Sequence, residues 1–287
     1  MLVDFARIVA VRLPDDVLHA LEGLRSLETD ARSKAVYDVM FDDIRMAAER
    51  QIPICQDTGV LEFFISSGDR FPFLGALGEA VKRAVSRATA EVPLRPNAVE
   101  AFEEYNTGDN TGTLIPWMEW SIIPGVDYAE VTLYIAGGGS SLPGSSRVLF
   151  PAAGYNGVAE FVLEAVSTYG LNACPPLLVG VGIGATSEIA AMLSKRALLR
   201  PIGERNRSEK AAKFEEILKS KLDSLKIGPQ GLGGRASVLG VHVEYSARHP
   251  GTLGVGVSTG CWAHRRGTIR IMSDLSCELL THKGVSL

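Results

Sequence analysis

The sequence predicts a mixed α/β (α+β) fold, a helical N-terminal part followed by lobes of strand and helix. Three observations predict it. Residues 1–50 carry apolar side chains mainly at helical spacing, whereas several later segments alternate with period two or run apolar between Gly and Pro clusters. The two kinds of segment interleave without the regular βαβ alternation of a doubly wound sheet. At 287 residues and 46% apolar content there is material for a sizeable core. No solenoid-length repeat, low-complexity tract or clean linker interrupts the chain, so 1–287 reads as one region with 1–50 mainly helical.

Each element has a local reason. Pro14-Asp15-Asp16 sets a proline and two acids in a first turn ahead of Val17, Leu18 and Leu21. Thr29-Asp30 can cap a helix bearing Val36, Met40, Ile44 and Ala47. Residues 61–66 read as a strand, and 74–91 as an amphipathic helix with Leu77, Val81 and Val85 on one face, ended by Pro93 and Pro96. Asn106-Thr107-Gly108 and Asn110-Thr111-Gly112 read as consecutive turns. Residues 130–135 alternate as a strand and run into Gly137-Gly138-Gly139-Ser140-Ser141, either a flexible loop or a nest of N–H groups for an anion. Beyond it, 157–168, 187–199 and 208–225 read as helices, the last charged and exposed, and 177–181, 238–245 and 253–257 as strands.

Charge narrows the partners. A net charge of −4 argues against a nucleic-acid surface. Asp4 falls where a signal peptide wants cations, and no apolar run approaches the ~18 residues of a membrane span. Four cysteines in a long chain of this kind suit a reducing cytoplasm, with thiols kept as ligands.

Three of those cysteines have unlike surroundings. Cys55 lies in Pro53-Ile54-Cys55-Gln56-Asp57-Thr58-Gly59, Cys174 in Asn172-Ala173-Cys174-Pro175-Pro176, and Cys261 in Thr259-Gly260-Cys261-Trp262-Ala263-His264-Arg265-Arg266. None forms the close pair of a zinc knuckle. Taken singly, each suits a small buried apolar residue. Taken together, they suit a pocket where three loop ends meet one cofactor. An iron–sulfur cluster held by three thiolates instead of four keeps one iron free as a Lewis acid. Cys277 sits in an apolar context and reads as a structural helix position. Among the histidines, His19 and His282 read as surface residues and His242 as a packed strand residue, while His249 lies in a loop between two strands. His264-Arg265-Arg266 beside Cys261 either offsets cluster charge or faces solvent. Gly180-Val181-Gly182-Ile183-Gly184-Ala185 fits a dinucleotide fingerprint on paper, but the strand before it is short and no acid follows a second strand. Its glycines read better as a close approach of backbone to a cofactor or a partner strand.

With these residues in view, the chain resembles the class I, iron–sulfur-dependent hydro-lyases. The Cys-Gln-Asp-Thr-Gly loop, the Cys-Pro-Pro segment leading into Gly-Val-Gly-Ile, and the Cys-Trp-Ala-His-Arg-Arg loop carry the resemblance, which covers nearly the whole chain. Within the family the likeness is to the two-subunit enzymes that act on tartrate. It rests on Ala136-Gly137-Gly138-Gly139 continuing to Leu142-Pro143-Gly144, Ile115-Pro116-Trp117, Leu199-Arg200-Pro201-Ile202-Gly203 and Ile227-Gly228-Pro229-Gln230-Gly231-Leu232. Ala136 and Ser141 stand where fumarases of the family carry Lys and Glu, which weakens a fumarate reading.

The resemblance implies an α-type subunit that dehydrates L(+)-tartrate to oxaloacetate with a [4Fe–4S] cluster. Cys55, Cys174 and Cys261 would hold the cluster in a cleft. Asp57 would exchange a proton with the departing hydroxyl, oriented by Gln56, with a turn-forming Asp as the plainer reading. Arg95 would grip a substrate carboxylate, Gly138 would offer its N–H, and His249 would lie near the substrate. A β subunit, in an α2β2 assembly, would complete the site for this small dicarboxylate. The alternatives are a fumarate hydratase α subunit and, in another class, a non-catalytic iron–sulfur or zinc module.

Overall fold

Capping and apolar spacing build the N-terminal helices as expected, in a computed structural model that describes residues 1–287. α1 (Leu2–Val11) buries Phe5 and Val9, and α2 (Asp15–Leu27) buries Val17, Leu21 and Leu24. α3 (Ala31–Arg50) begins where Asp30 Oδ1 accepts the N–H groups of Arg32 and Ser33, each at 3.0 Å. There follow β1 (Val60–Gly68), α4 (Leu74–Glu91), β2 (Trp117–Ile123), β3 (Ala129–Ala136), α5 (Gly138–Ser141), β4 (Ser145–Leu149), α6 (Gly154–Tyr169), β5 (Leu177–Gly184), α7 (Ser187–Ala197), α8 (Glu209–Asp223), β6 (Val238–Tyr245), β7 (Leu253–Gly260), β8 (Arg266–Ile271) and β9 (Cys277–Leu279). The fold is mixed α/β.

The chain divides into two units. Unit 1 comprises Met1–Asp15, Phe41–Gly137 and Arg265–Leu287. Its five-stranded sheet runs β2-β1-β3-β8-β9, parallel between β1 and β2 and antiparallel elsewhere. Alternation in β1 turns Leu61, Phe63 and Ile65 inward against α1 and α4, where Phe5, Val9, Val81 and Val85 complete the core.

Unit 2 comprises Asp16–Met40 and Gly138–His264, with a sheet ordered β4-β7-β5-β6. Its β5 explains the glycine-rich motif. Val179 and Val181 pack into a core with Val158 and Val162 of α6 and Leu218 and Leu222 of α8. Gly180 and Gly182 point the other way, to α7, where a Cβ on either would collide with the Ser194 or Ala190 carbonyl. Gly256 of β7 meets Ala190 in the same manner, its absent Cβ lying 2.5 Å from that carbonyl. The glycines bring a helix onto bare strand backbone, and the fingerprint lies inside a central strand, not in a phosphate-binding turn.

Several expectations are corrected. Cys277 lies in the edge strand β9 and is exposed, not helical. His282 is buried, its Nε2 3.2 Å from the Arg12 carbonyl oxygen. His264, Arg265 and Arg266 are all buried, so none faces solvent. α8 is less exposed than its charge suggests. Its Glu215 is buried, accepting Val243 N–H at 2.7 Å and Asn206 Nδ2 at 3.0 Å and pairing with Arg200. Strands β2, β4 and β9 carry no clear period-two signal, β8 alternates only from Thr268 to Ile271, and none of the four was expected.

Candidate functional site

In unit 1 the Cys55-to-Gly59 loop connects α3 to β1 and is held mainly by polar side chains. Cys55 is partly exposed, with Sγ 3.7 Å from Gln56 Oε1. Asp57 Oδ1 accepts the Gly59 N–H at 2.9 Å, the turn-forming contact that the plainer reading anticipated. Gly59 is required there. It has φ +66, and a Cβ would stand 2.7 Å from the Ala136 carbonyl oxygen. Thr58 is buried, and its Oγ1 accepts the Arg95 N–H at 2.8 Å. Asn97 Nδ2 donates to Gly59 O at 3.0 Å. The loop bearing Asp57 and the segment bearing Arg95 are thereby fixed to each other, with the Arg95 residue itself exposed.

A second layer holds that segment. Asn110 is buried and uses its whole amide. Oδ1 accepts Asn97 N–H at 2.6 Å, and Nδ2 donates to Thr89 Oγ1 at 3.0 Å and to Arg95 O at 2.9 Å. One half of the Asn-Thr-Gly repeat is therefore a brace for the Arg95 backbone. Sequence reading took it only as a turn, because Asn110 lies 15 residues from Arg95 and no local pattern links the two.

Arg265 is the other residue that sequence reading undervalued. It is 1% exposed, and Nη2 donates to the Asp57 carbonyl oxygen at 2.9 Å. Its Nε and Nη1 are buried without a hydrogen-bond partner. An incompletely paired cation is costly to bury, so an anionic group beside the Asp57 loop is expected to offset it.

In unit 2 the segments bearing Cys174, Cys261 and Gly138 meet, held mainly by backbone. Cys174 is exposed and left-handed, φ 53, at the end of the one-turn helix Gly170–Ala173. The Trp262 N–H donates to the Cys174 carbonyl oxygen at 3.1 Å, and Gln230 N–H donates to Pro175 O at 2.9 Å. Gly139 approaches so closely that a Cβ would lie 2.6 Å from the Asn172 carbonyl oxygen. Thr259 Oγ1 donates to Ser140 O at 2.5 Å, linking the glycine segment to the strand that delivers Cys261.

His249 is not brought to this place. It precedes β7 while Cys261 follows it, so a strand of eight residues, itself roughly 24 Å long, lies between them in the chain. It is exposed, its Nδ1 accepting Gly251 N–H at 3.0 Å.

The donor chemistry fits an iron–sulfur cluster. Cys55, Cys174 and Cys261 are free thiols on loops, none buried in an apolar stripe. The unpaired guanidinium donors of Arg265 suit a negatively charged neighbour.

Comparison with known proteins agrees with these features. Residues 1–270 match the family described as Fumarate hydratase (Fumerase). Over 282 residues, covering 98% of this chain and 93% of the relative, the sequence is 52% identical to the L(+)-tartrate dehydratase subunit alpha of Escherichia coli (strain K12), and the E. coli O157:H7 protein of that description matches equally. A chain from Methanocaldococcus jannaschii, provisionally described as the same subunit, is 38% identical over 277 residues, covering 96% of this chain and 97% of its own.

Proposed function

The chain belongs to the fumarate hydratase family of hydro-lyases, and from that premise we propose that it is the α subunit of an enzyme dehydrating L(+)-tartrate to oxaloacetate. The tie of the Asp57 loop to the Arg95 segment through Thr58 carries the reading, because it couples a proton-transfer group to a carboxylate grip. Ala136 and Ser141, which replace the Lys and Glu of fumarases, favour tartrate over fumarate.

A [4Fe–4S] cluster held by Cys55, Cys174 and Cys261 would supply Lewis acidity toward the hydroxyl that leaves. Asp57 gives that hydroxyl a proton, and Gln56 orients it. Arg95 clamps one substrate carboxylate as a planar fork, and the Gly138 N–H binds the same ligand. Arg265 keeps the Asp57 backbone in place from behind. The enol that forms ketonises to oxaloacetate. His249 lies near the substrate, and the assembly is α2β2. A β subunit supplies the group that accepts the carbon-bound proton. We place the enzyme in the cytoplasm. No helix is long and apolar enough to cross a membrane.

The test is anaerobic reconstitution of this chain with its β subunit and assay on both diacids. Turnover of tartrate well above that of fumarate is the expected result. The reverse preference would make it a fumarase subunit. A colourless, air-stable protein with neither activity would overturn the hydro-lyase mechanism.

A further inference from the structure

Residues 99–123 of unit 1 keep large apolar side chains in water. Phe102 is 96% exposed and Leu114 75%, and Tyr105, Trp117, Trp120 and Ile122 are exposed too. Phe102, Leu114 and Tyr105 stand on two turns that hydrogen bonds tie together. Glu100 N–H donates to Tyr105 O at 3.0 Å and Thr107 N–H to Ala98 O at 3.1 Å, closing a hairpin with Phe102 near its tip. Glu100 Oε1 accepts Thr113 N–H at 2.8 Å, joining the hairpin to the Leu114 turn. Two residues later β2 begins, the edge strand of its sheet, paired only with β1. Glu104 and Leu114 hold φ of 51 and 59, a region that L residues avoid, so Leu114 is displayed in a disfavoured backbone conformation. Contiguous exposed aromatic and aliphatic surface on a sheet edge marks a protein interface.

Charge selects the occupant. The segment carries Glu100, Glu103, Glu104, Asp109 and Glu119 and no lysine or arginine, with Glu103 and Glu104 exposed beside Phe102. An isologous pair of such surfaces would set Glu103 and Glu104 against their own copies with no cation to offset them, which disfavours a second copy of this chain. We infer that the 98–107 hairpin, the Leu114 turn and β2 form the docking surface for the partner subunit, which meets it with lysine and arginine around an apolar centre. The inference rests on the functional reading above. That reading leaves a dianionic substrate beside a single gripping cation, Arg95. The hairpin begins three residues beyond Arg95 and is tied to it through Asn97 and Asn110. A cationic partner seated here carries positive charge to the same place.

The experiment titrates the cluster-loaded chain with its purified β subunit, without substrate, at low and high salt, about 50 and 300 mM. Phe102→Asp and the double variant Glu103→Lys/Glu104→Lys change only exposed side chains. Each is expected to weaken binding at low salt by about 30-fold, the effect of losing an interface hot spot, and the double variant also to flatten the salt dependence. Hydrogen exchange on the unmodified chain is expected to slow across residues 98–123 when the β subunit is added. Affinities within threefold of the parent, or unchanged exchange in that segment, overturn the proposal. So does a dimer of the isolated chain that Phe102→Asp breaks while leaving β affinity intact, since the surface would then belong to a second copy. Docking at this surface in a complex that turns over neither diacid leaves the interface standing and removes the functional reading. Turnover with unchanged affinity in both variants does the opposite.

Discussion

The two units position their candidate site residues by different means. In unit 1 the Asp57 loop and Arg95 are held by side chains: Thr58, Asn97, Asn110 and Arg265 supply the hydrogen bonds. In unit 2 the Cys174, Cys261 and Gly138 segments are held chiefly by backbone N–H groups and by glycines that let chains touch. A side-chain brace can be deleted one atom at a time, so unit 1 should yield graded defects. A backbone brace is insensitive to most substitutions and fails abruptly where a Cβ is forced into a closed contact.

The largest effect tests the chemistry that the unit 1 brace serves. Asp57→Asn retains the Oδ1 acceptor for Gly59 N–H, so the turn should survive. It removes the exchangeable proton, and kcat of the assembled enzyme is expected to fall ~10²–10⁴-fold with cluster absorbance unchanged. Unchanged kcat removes Asp57 from the mechanism, and lost absorbance assigns it to supporting Cys55.

Gly182→Ala probes the abrupt failure of unit 2. The new methyl would strike the Ala190 carbonyl on α7, with little room to relax between strand and helix. Destabilisation of about 3 kcal/mol, or no folded protein, is expected in urea unfolding. A loss under about 0.5 kcal/mol would show that α7 is loosely seated.

Asn110→Ala probes the graded failure of unit 1. It strands the Asn97 N–H and the Arg95 carbonyl, costing about 2 kcal/mol, with the substrate KM rising more than kcat falls because Arg95 is set but not removed. Equal stability and unchanged KM would mean that the brace is redundant.

The smallest effect is a pH dependence. The Thr111 hydroxyl holds the Asp109 carboxyl below its usual range. A lowered carboxyl contributes stability above its unfolded pKa, and that contribution vanishes as pH falls through the folded value. Thr111→Val should therefore reduce stability at pH 7 by a few tenths of a kcal/mol, about the scale of an exposed polar contact, with the difference closing in acid. A difference that grows as pH falls would contradict this sign.

Legibility followed the range of the forces. α4 was anticipated over its full length because its apolar face and terminal prolines are local features, and β6 because Val241, Val243 and Tyr245 alternate with Gly240, His242 and Glu244. The three thiols and the Asp57 loop were legible from motif and resemblance. β2 was not, because it is specified by register against β1 and not by alternation of its own, and the alternation of β8 spans only Thr268 to Ile271, too short to stand out. Asn110 and Arg265 were missed as braces because their partners lie 15 and 208 residues away in sequence.

By itself, the sequence determined the helices, the capping by Asp30, the chemistry-bearing residue types and the family. These depend on neighbours a few positions apart or on short contiguous motifs. Only the tertiary structure decided that the Gly-Val-Gly-Ile-Gly run seats a helix instead of a nucleotide. It alone showed that His264, Arg265 and Arg266 are buried, and that His249 stands at the far end of β7 from Cys261. Those outcomes turn on which backbone atoms approach across the sheet and how many strand residues intervene, distances that no local pattern encodes.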